Sequence, residues 1–165
     1  MARKYTGTSD GPAPGKRAGL EEFVKQVAQL SGGALWNNGT WLVRNMRGKE
    51  SLSVHATGRA VDMSWRKLGN KGVADGRGQA RRTINRLVAN ADLLQIECIL
   101  DYFPKDYGRA WRCDRYAWQK YDKPTIHGAP GGDWFHIEIS PAMARNPEAM
   151  KTALALVFPP NPPQP

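Results

Sequence analysis

Four residues in two separated stretches have the types and spacing for metal chemistry. In SVHATGRAVD, residues 53–62, His55 precedes Asp62 by seven positions; in DWFHIEIS, residues 133–140, Asp133 precedes His136 by three. A catalytic zinc takes three protein ligands, imidazole nitrogens and carboxylate oxygens at about 2.0–2.2 Å, and keeps one position open. His55, Asp62 and His136 would supply that set, and two imidazoles with one carboxylate suit zinc best among divalent ions. The plain alternative is that the first stretch is a loop entering a strand; the second stretch weighs against it. If His136 binds metal, Asp133 is close enough along the chain to reach the open position.

Something must hold these side chains in one place. Alternation over residues 133–140 predicts a half-buried strand, with Phe135, Ile137 and Ile139 on one face and Trp134, His136 and Glu138 on the other. Glu138 then shares a face with His136 and can orient its imidazole, as partners of ligating histidines do. Residues 59–64 read as a second strand in which Val61 and Met63, followed by Trp65, face the core and Ala60, Asp62 and Ser64 face a cleft. Gly58 permits a turn between His55 and that strand. Further strands are expected over 41–46, 95–102 and 109–113. Leu20, Phe23, Val24, Val27 and Leu30 predict an amphipathic helix over 17–31, stopped by Gly32 and Gly33. A second helix fits 77–93, and Pro141 and Pro147 introduce short helical segments ending near Phe158. This order implies an α+β domain with a small antiparallel sheet and flanking helices, spanning 1–158. The proline-rich residues 159–165 read as a tail or the start of an interdomain linker.

Composition narrows the classes. A chain of 165 residues fits one globular domain, and no apolar run reaches the roughly 18–20 residues needed to span a bilayer. The first twenty residues carry basic side chains without an apolar segment behind them, so a cytosolic rather than a secreted start is expected. Cys98 and Cys113 form no CxxC pair, and Cys98 in IECIL is expected in the core. The 24 Lys and Arg against 15 Asp and Glu give +9, which predicts attraction to a polyanion. Nucleic acid and an anionic cell wall would both serve. Arg77, Arg81, Arg82 and Arg86 share a helix face, expected to be solvated, and no nucleic-acid motif accompanies them.

The paired stretches SVHATGRAVD and GGDWFHIE resemble those of the zinc peptidase family of D-alanyl-D-alanine carboxypeptidases, D-Ala-D-Ala dipeptidases and phage L-alanyl-D-glutamate endolysins, whose fold is shared with the Hedgehog signalling domain. Ser53, His55, Gly58, Ala60, Asp62, Asp133 and His136 match the family pattern, over roughly residues 40–140. The resemblance implies a Hedgehog/D,D-peptidase-like fold, one Zn2+ on His55, Asp62 and His136, and Asp133 as general base. It also implies an upstream arginine for substrate or oxyanion contact, Arg44 in preference to Arg47. Ser53 would bond substrate or close a turn, and His127 would assist the oxyanion or sit in an exposed loop. Trp134 would line the groove or pack, and Trp111 and Trp118 would contact glycan or join the core. Aspartate at the base position resembles the phage endopeptidases, whereas the carboxypeptidases usually carry glutamate there.

The expected activity is therefore hydrolysis of a peptidoglycan stem-peptide bond, L-Ala–D-Glu, with a D-alanyl-D-alanine carboxypeptidase as the runner-up. The implied parent is a modular lysin of a phage infecting mycobacteria or related actinobacteria. Its peptidase domain would be monomeric, would wait in the host cytoplasm until lysis, and would take wall peptides rather than nucleic acid or membrane as partner. A basic nucleic-acid-binding domain, or a wall-binding module without catalysis, are the competing classes.

Overall fold

A computed structural model describes residues 1–159. Six strands form one antiparallel sheet: β1 (Trp36–Gly39), β2 (Ala60–Ser64), β3 (Ile96–Asp101), β4 (Arg109–Arg112), β5 (Ala117–Lys120) and β6 (Trp134–Ile139). Their order across the sheet is β1-β2-β6-β3-β4-β5, so the last strand is inserted between β2 and β3. Four helices accompany it: α1 (Ala18–Leu30), α2 (Arg77–Ala89), α3 (Pro141–Arg145) and α4 (Pro147–Val157). The architecture is α+β, as the sequence predicts. The tail expected over 159–165 lies, beyond residue 159, outside the described residues.

The helices and sheet share one hydrophobic cluster. Phe23 and Val27 of α1, Ile84 and Leu87 of α2 and Leu154 of α4 pack with Val61, Met63, Phe135, Ile137 and Ile139 of the central strands. Each apolar side chain so buried contributes about 1.5–3 kcal/mol. Two caps sharpen the C-terminal helices: Ser140 accepts from the Met143 amide and Asn146 from the Ala149 amide, with proline at each first helical position. Because β2 and β6 alternate, committing one face of each to this cluster turns Asp62 and His136 to the other face.

The strand expected over 41–46 is not present. The edge of β2 is taken by β1, from Trp36 to Gly39, and the later segment keeps only an isolated bridge between Asn45 and Leu52. Leu42 and Val43 stay exposed, while the Trp41 indole donates to the Ala13 carbonyl at 3.1 Å. An apolar run without a free sheet edge or a core to face does not extend the sheet. β5 escaped sequence reading because its residues AWQK lie largely exposed at the opposite edge. The second helix ends at Ala89 instead of residue 93, with the following amides closing a turn onto Arg86, Leu87 and Val88.

Residues 1–17 form an arm across the sheet. Arg59, buried completely, ties it down: Nε donates to Asp10 Oδ2 at 3.0 Å, Nη1 to Glu97 Oε2 at 3.1 Å and to the Ile139 carbonyl at 2.6 Å, and Nη2 to the Gly7 carbonyl. A buried cation is tolerated only when paired and hydrogen-bonded in this way.

Candidate metal centre

The register of the central strands assembles the site. Asp62 of β2 lies directly opposite His136 of β6, which in turn lies opposite Leu100 of β3. Facing residues of an antiparallel pair hold their β-carbons about 4.5–5.5 Å apart, so a carboxylate and an imidazole there must meet. Asp62 Oδ1 is 3.0 Å from His136 Nδ1. His55 arrives from a 3-10 turn, Val54–Thr57, that precedes β2, and its Nε2 lies 3.4 Å from Asp62 Oδ2. Gly58 ends this turn at φ +71°, and a β-carbon there would meet Arg17 Cγ at 2.9 Å. Both the backbone conformation and the space call for glycine.

The second nitrogen of each imidazole is already committed. His55 Nδ1 donates to the Thr40 carbonyl at 2.5 Å, and His136 Nε2 is 3.0 Å from Glu138 Oε1. That leaves His55 Nε2, the Asp62 carboxylate and His136 Nδ1 aimed at one another, with these donor atoms all within 4.8 Å. The rings of the two histidines meet edge to face at 4.9 Å. Donor chemistry, spacing and the bonds at the outer ring nitrogens together fit a four-coordinate cation with bonds of about 2.0–2.2 Å, which would displace the proton on His136 Nδ1. The trio could hold a metal ion.

The electrostatics favour positive charge here. Burial opposes ionisation of Asp62, but the bonds from His136 and His55 outweigh it and hold the carboxyl well below the usual carboxylate range. Burial likewise opposes a charged His136, yet its bonds to Asp62 and Glu138 push it up to about 10. Glu138 also remains ionised despite burial, because His136 and the Tyr5 hydroxyl bond to it. Two carboxylates converging on one imidazole make a seat for a proton or, in competition with it, for a metal cation.

The trio lies in a groove of about 420 Å³, within the range of ordinary ligand sites. Arg44, Arg47, Lys49, Arg66, His127 and Trp134 contribute to its walls. Arg44 and Arg47 belong to a loop rather than to opposite faces of a strand, and both reach the groove. Ser53 closes a turn: its hydroxyl accepts from the His55 amide at 3.4 Å, and its amide donates to the Arg44 carbonyl at 3.0 Å. Trp134 packs on Tyr102, ring centres 4.8 Å apart, while forming a wall. Trp111 is buried in the core, and Trp118 lies under the Arg109 guanidinium at 4.1 Å.

Asp133 sits apart from the trio. Its carboxylate, partly exposed, takes two bonds from Arg66 of the groove wall, Nε to Oδ2 at 2.8 Å and Nη2 to Oδ1 at 2.9 Å. Arg66 was not singled out from sequence, although the alternation 62, 64, 66 places it on the Asp62 face. Thr40 and Tyr5 gave no signal, because a backbone carbonyl and a distant phenol carry no local pattern. On α2, Arg77 is no solvated cation: it makes two bonds to the buried carboxylate of Asp101, at 2.7 and 2.8 Å. Cys98 and Cys113 are buried free thiols. No helix among the described residues is long and apolar enough to cross a membrane. Comparison with known proteins finds no matching family model, curated protein or solved structure.

Proposed function

We propose that the protein is a zinc peptidase that hydrolyses a stem-peptide bond of bacterial peptidoglycan, the L-Ala–D-Glu bond, as the peptidase domain of a phage lysin with a Hedgehog/D,D-peptidase-like fold. The observation that carries the reading is the convergence of His55, Asp62 and His136, with both spare imidazole nitrogens engaged, in an open groove. Zinc, when bound, supplies a Lewis acid that polarises a carbonyl and makes water nucleophilic near neutral pH. Asp133 takes the proton from the attacking water on a carboxylate oxygen and passes it to the leaving amine. For this it turns from Arg66 toward the groove, its partner there being a half-exposed cation; catalytic hydrogen bonds often tighten only with substrate present. Arg44 or Arg47 contacts the substrate carboxylate or the developing oxyanion, and Trp134 and His127 line the peptide's path. The +9 charge draws the protein to an anionic wall.

Metal analysis of the purified chain, together with wall hydrolysis by the native protein and Asp133→Asn, tests this. One zinc per chain is expected in both, with hydrolysis by the variant down about 10²–10⁴-fold, the worth of a general base. Retained activity in Asp133→Asn removes that residue from its role, and a metal-free native protein ends the peptidase reading. Mass analysis of the digest separates cleavage after L-Ala from release of terminal D-Ala, which would make the enzyme a carboxypeptidase. Zinc-independent, salt-sensitive binding to DNA would instead favour a nucleic-acid-binding domain.

A further inference from the structure

We infer that Tyr5, in the amino-terminal arm, is a positioning residue of the metal centre, acting through Glu138 on the imidazole of His136. The inference rests on the metal reading above. Tyr5 donates its hydroxyl proton to Glu138 Oε2 at 2.7 Å; Glu138 Oε1 meets His136 Nε2 at 3.0 Å; His136 Nδ1 meets Asp62 at 3.0 Å. Glu138 is buried, so each carboxylate oxygen needs a partner, and the two it has lie at opposite ends of this chain. With both oxygens fixed, the carboxylate cannot swing, and the ring it holds keeps Nδ1 toward the other ligands.

The phenol is itself aimed. The Arg112 guanidinium lies over its ring at 4.1 Å. On one side of it the Arg3 amide donates to the Cys113 carbonyl at 2.9 Å; on the other the Thr6 hydroxyl and amide donate to Glu97 at 2.6 and 3.2 Å. The arm is therefore anchored independently of the Tyr5 hydroxyl, and Tyr5→Phe removes one oxygen from a segment still held on both sides, at Arg3 and Thr6. Thr6→Val does the reverse, loosening the arm while leaving the phenol–carboxylate bond.

Zinc affinity, read by competition with a chromophoric chelator, and thermal unfolding of the metal-free proteins separate the two roles. Tyr5→Phe should weaken zinc binding about tenfold, the low end of the roughly 10–100-fold loss seen when outer partners of a ligand are removed. Thr6→Val should lower the metal-free Tm yet leave affinity within about twofold, since it removes no partner of a ligand. Equal zinc affinity in Tyr5→Phe and the native protein overturns the inference and leaves the metal centre standing; a native protein that binds no zinc overturns both. In the native protein the Tyr5 hydroxyl proton should also give a slowly exchanging downfield NMR resonance that moves on zinc addition. An absent or unmoved resonance overturns the inference even where Tyr5→Phe does not fold.

Discussion

Two acidic side chains five positions apart, Asp133 just before β6 and Glu138 within it, have contrasting surroundings. Glu138 is buried and bonded at both oxygens, to Tyr5 and His136. Asp133 is partly exposed, and its carboxylate's only side-chain partner among the described residues is the half-exposed Arg66. A carboxylate fixed in a water-poor site holds its neighbour's orientation. One paired at the surface can exchange partners, since an exposed ion pair is worth only about 0–1 kcal/mol. The same contrast separates the floor of the groove, built on paired strands, from its wall of loop-borne arginines. Under the proposed function, ligand geometry rests on the strand-borne floor, and substrate and proton handling fall to the loop-borne wall.

The sharpest way to break this division is His136→Ala. It should abolish zinc retention through dialysis, a loss beyond the about 10–100-fold expected for outer partners, while the fold persists by circular dichroism. Zinc retained at native affinity would show that the floor is not the metal centre. Next in size is Arg59→Ala, which strips Asp10 and Glu97 of their buried cation and frees the arm. A destabilisation of about 3–5 kcal/mol in denaturant titration is expected from such an uncompensated break. A loss below about 1 kcal/mol would place the arm's anchoring elsewhere, at the level of a surface pair. Smallest is Arg66→Ala, expected to cost at most about 1 kcal/mol of stability. If Asp133 is the mobile base, this variant keeps hydrolytic activity, whereas one as inactive as Asp133→Asn would mean that Arg66 itself handles substrate.

Much of the site was legible in the chain because alternation is a local property. The run from Phe135 to Ile139 announces which face of β6 is apolar, and that alone puts His136 and Glu138 together on the other. Asp62 was readable in the same way from Val61 and Met63. The segment from Trp41 to Met46 misled for a complementary reason: its apolar residues satisfy a strand pattern, but the place beside β2 is occupied by the more polar Trp36–Gly39. Edge pairing depends on which segment reaches the free backbone groups, and side-chain periodicity does not record it.

Residue types and spacing by themselves determined the strand faces that Asp62 and His136 take, the α+β class and the choice of His55, Asp62 and His136 as one candidate set. Tertiary structure alone decided the register that sets Asp62 against His136, the Thr40 carbonyl that turns His55, the Tyr5 hydroxyl that holds Glu138, and the capture of Asp133 by Arg66. The physical reason is range. Which way a side chain points follows from the two or three residues around it, but which partner satisfies its remaining hydrogen-bonding atom is settled by whatever distant backbone or side chain the packed core brings within about 3 Å.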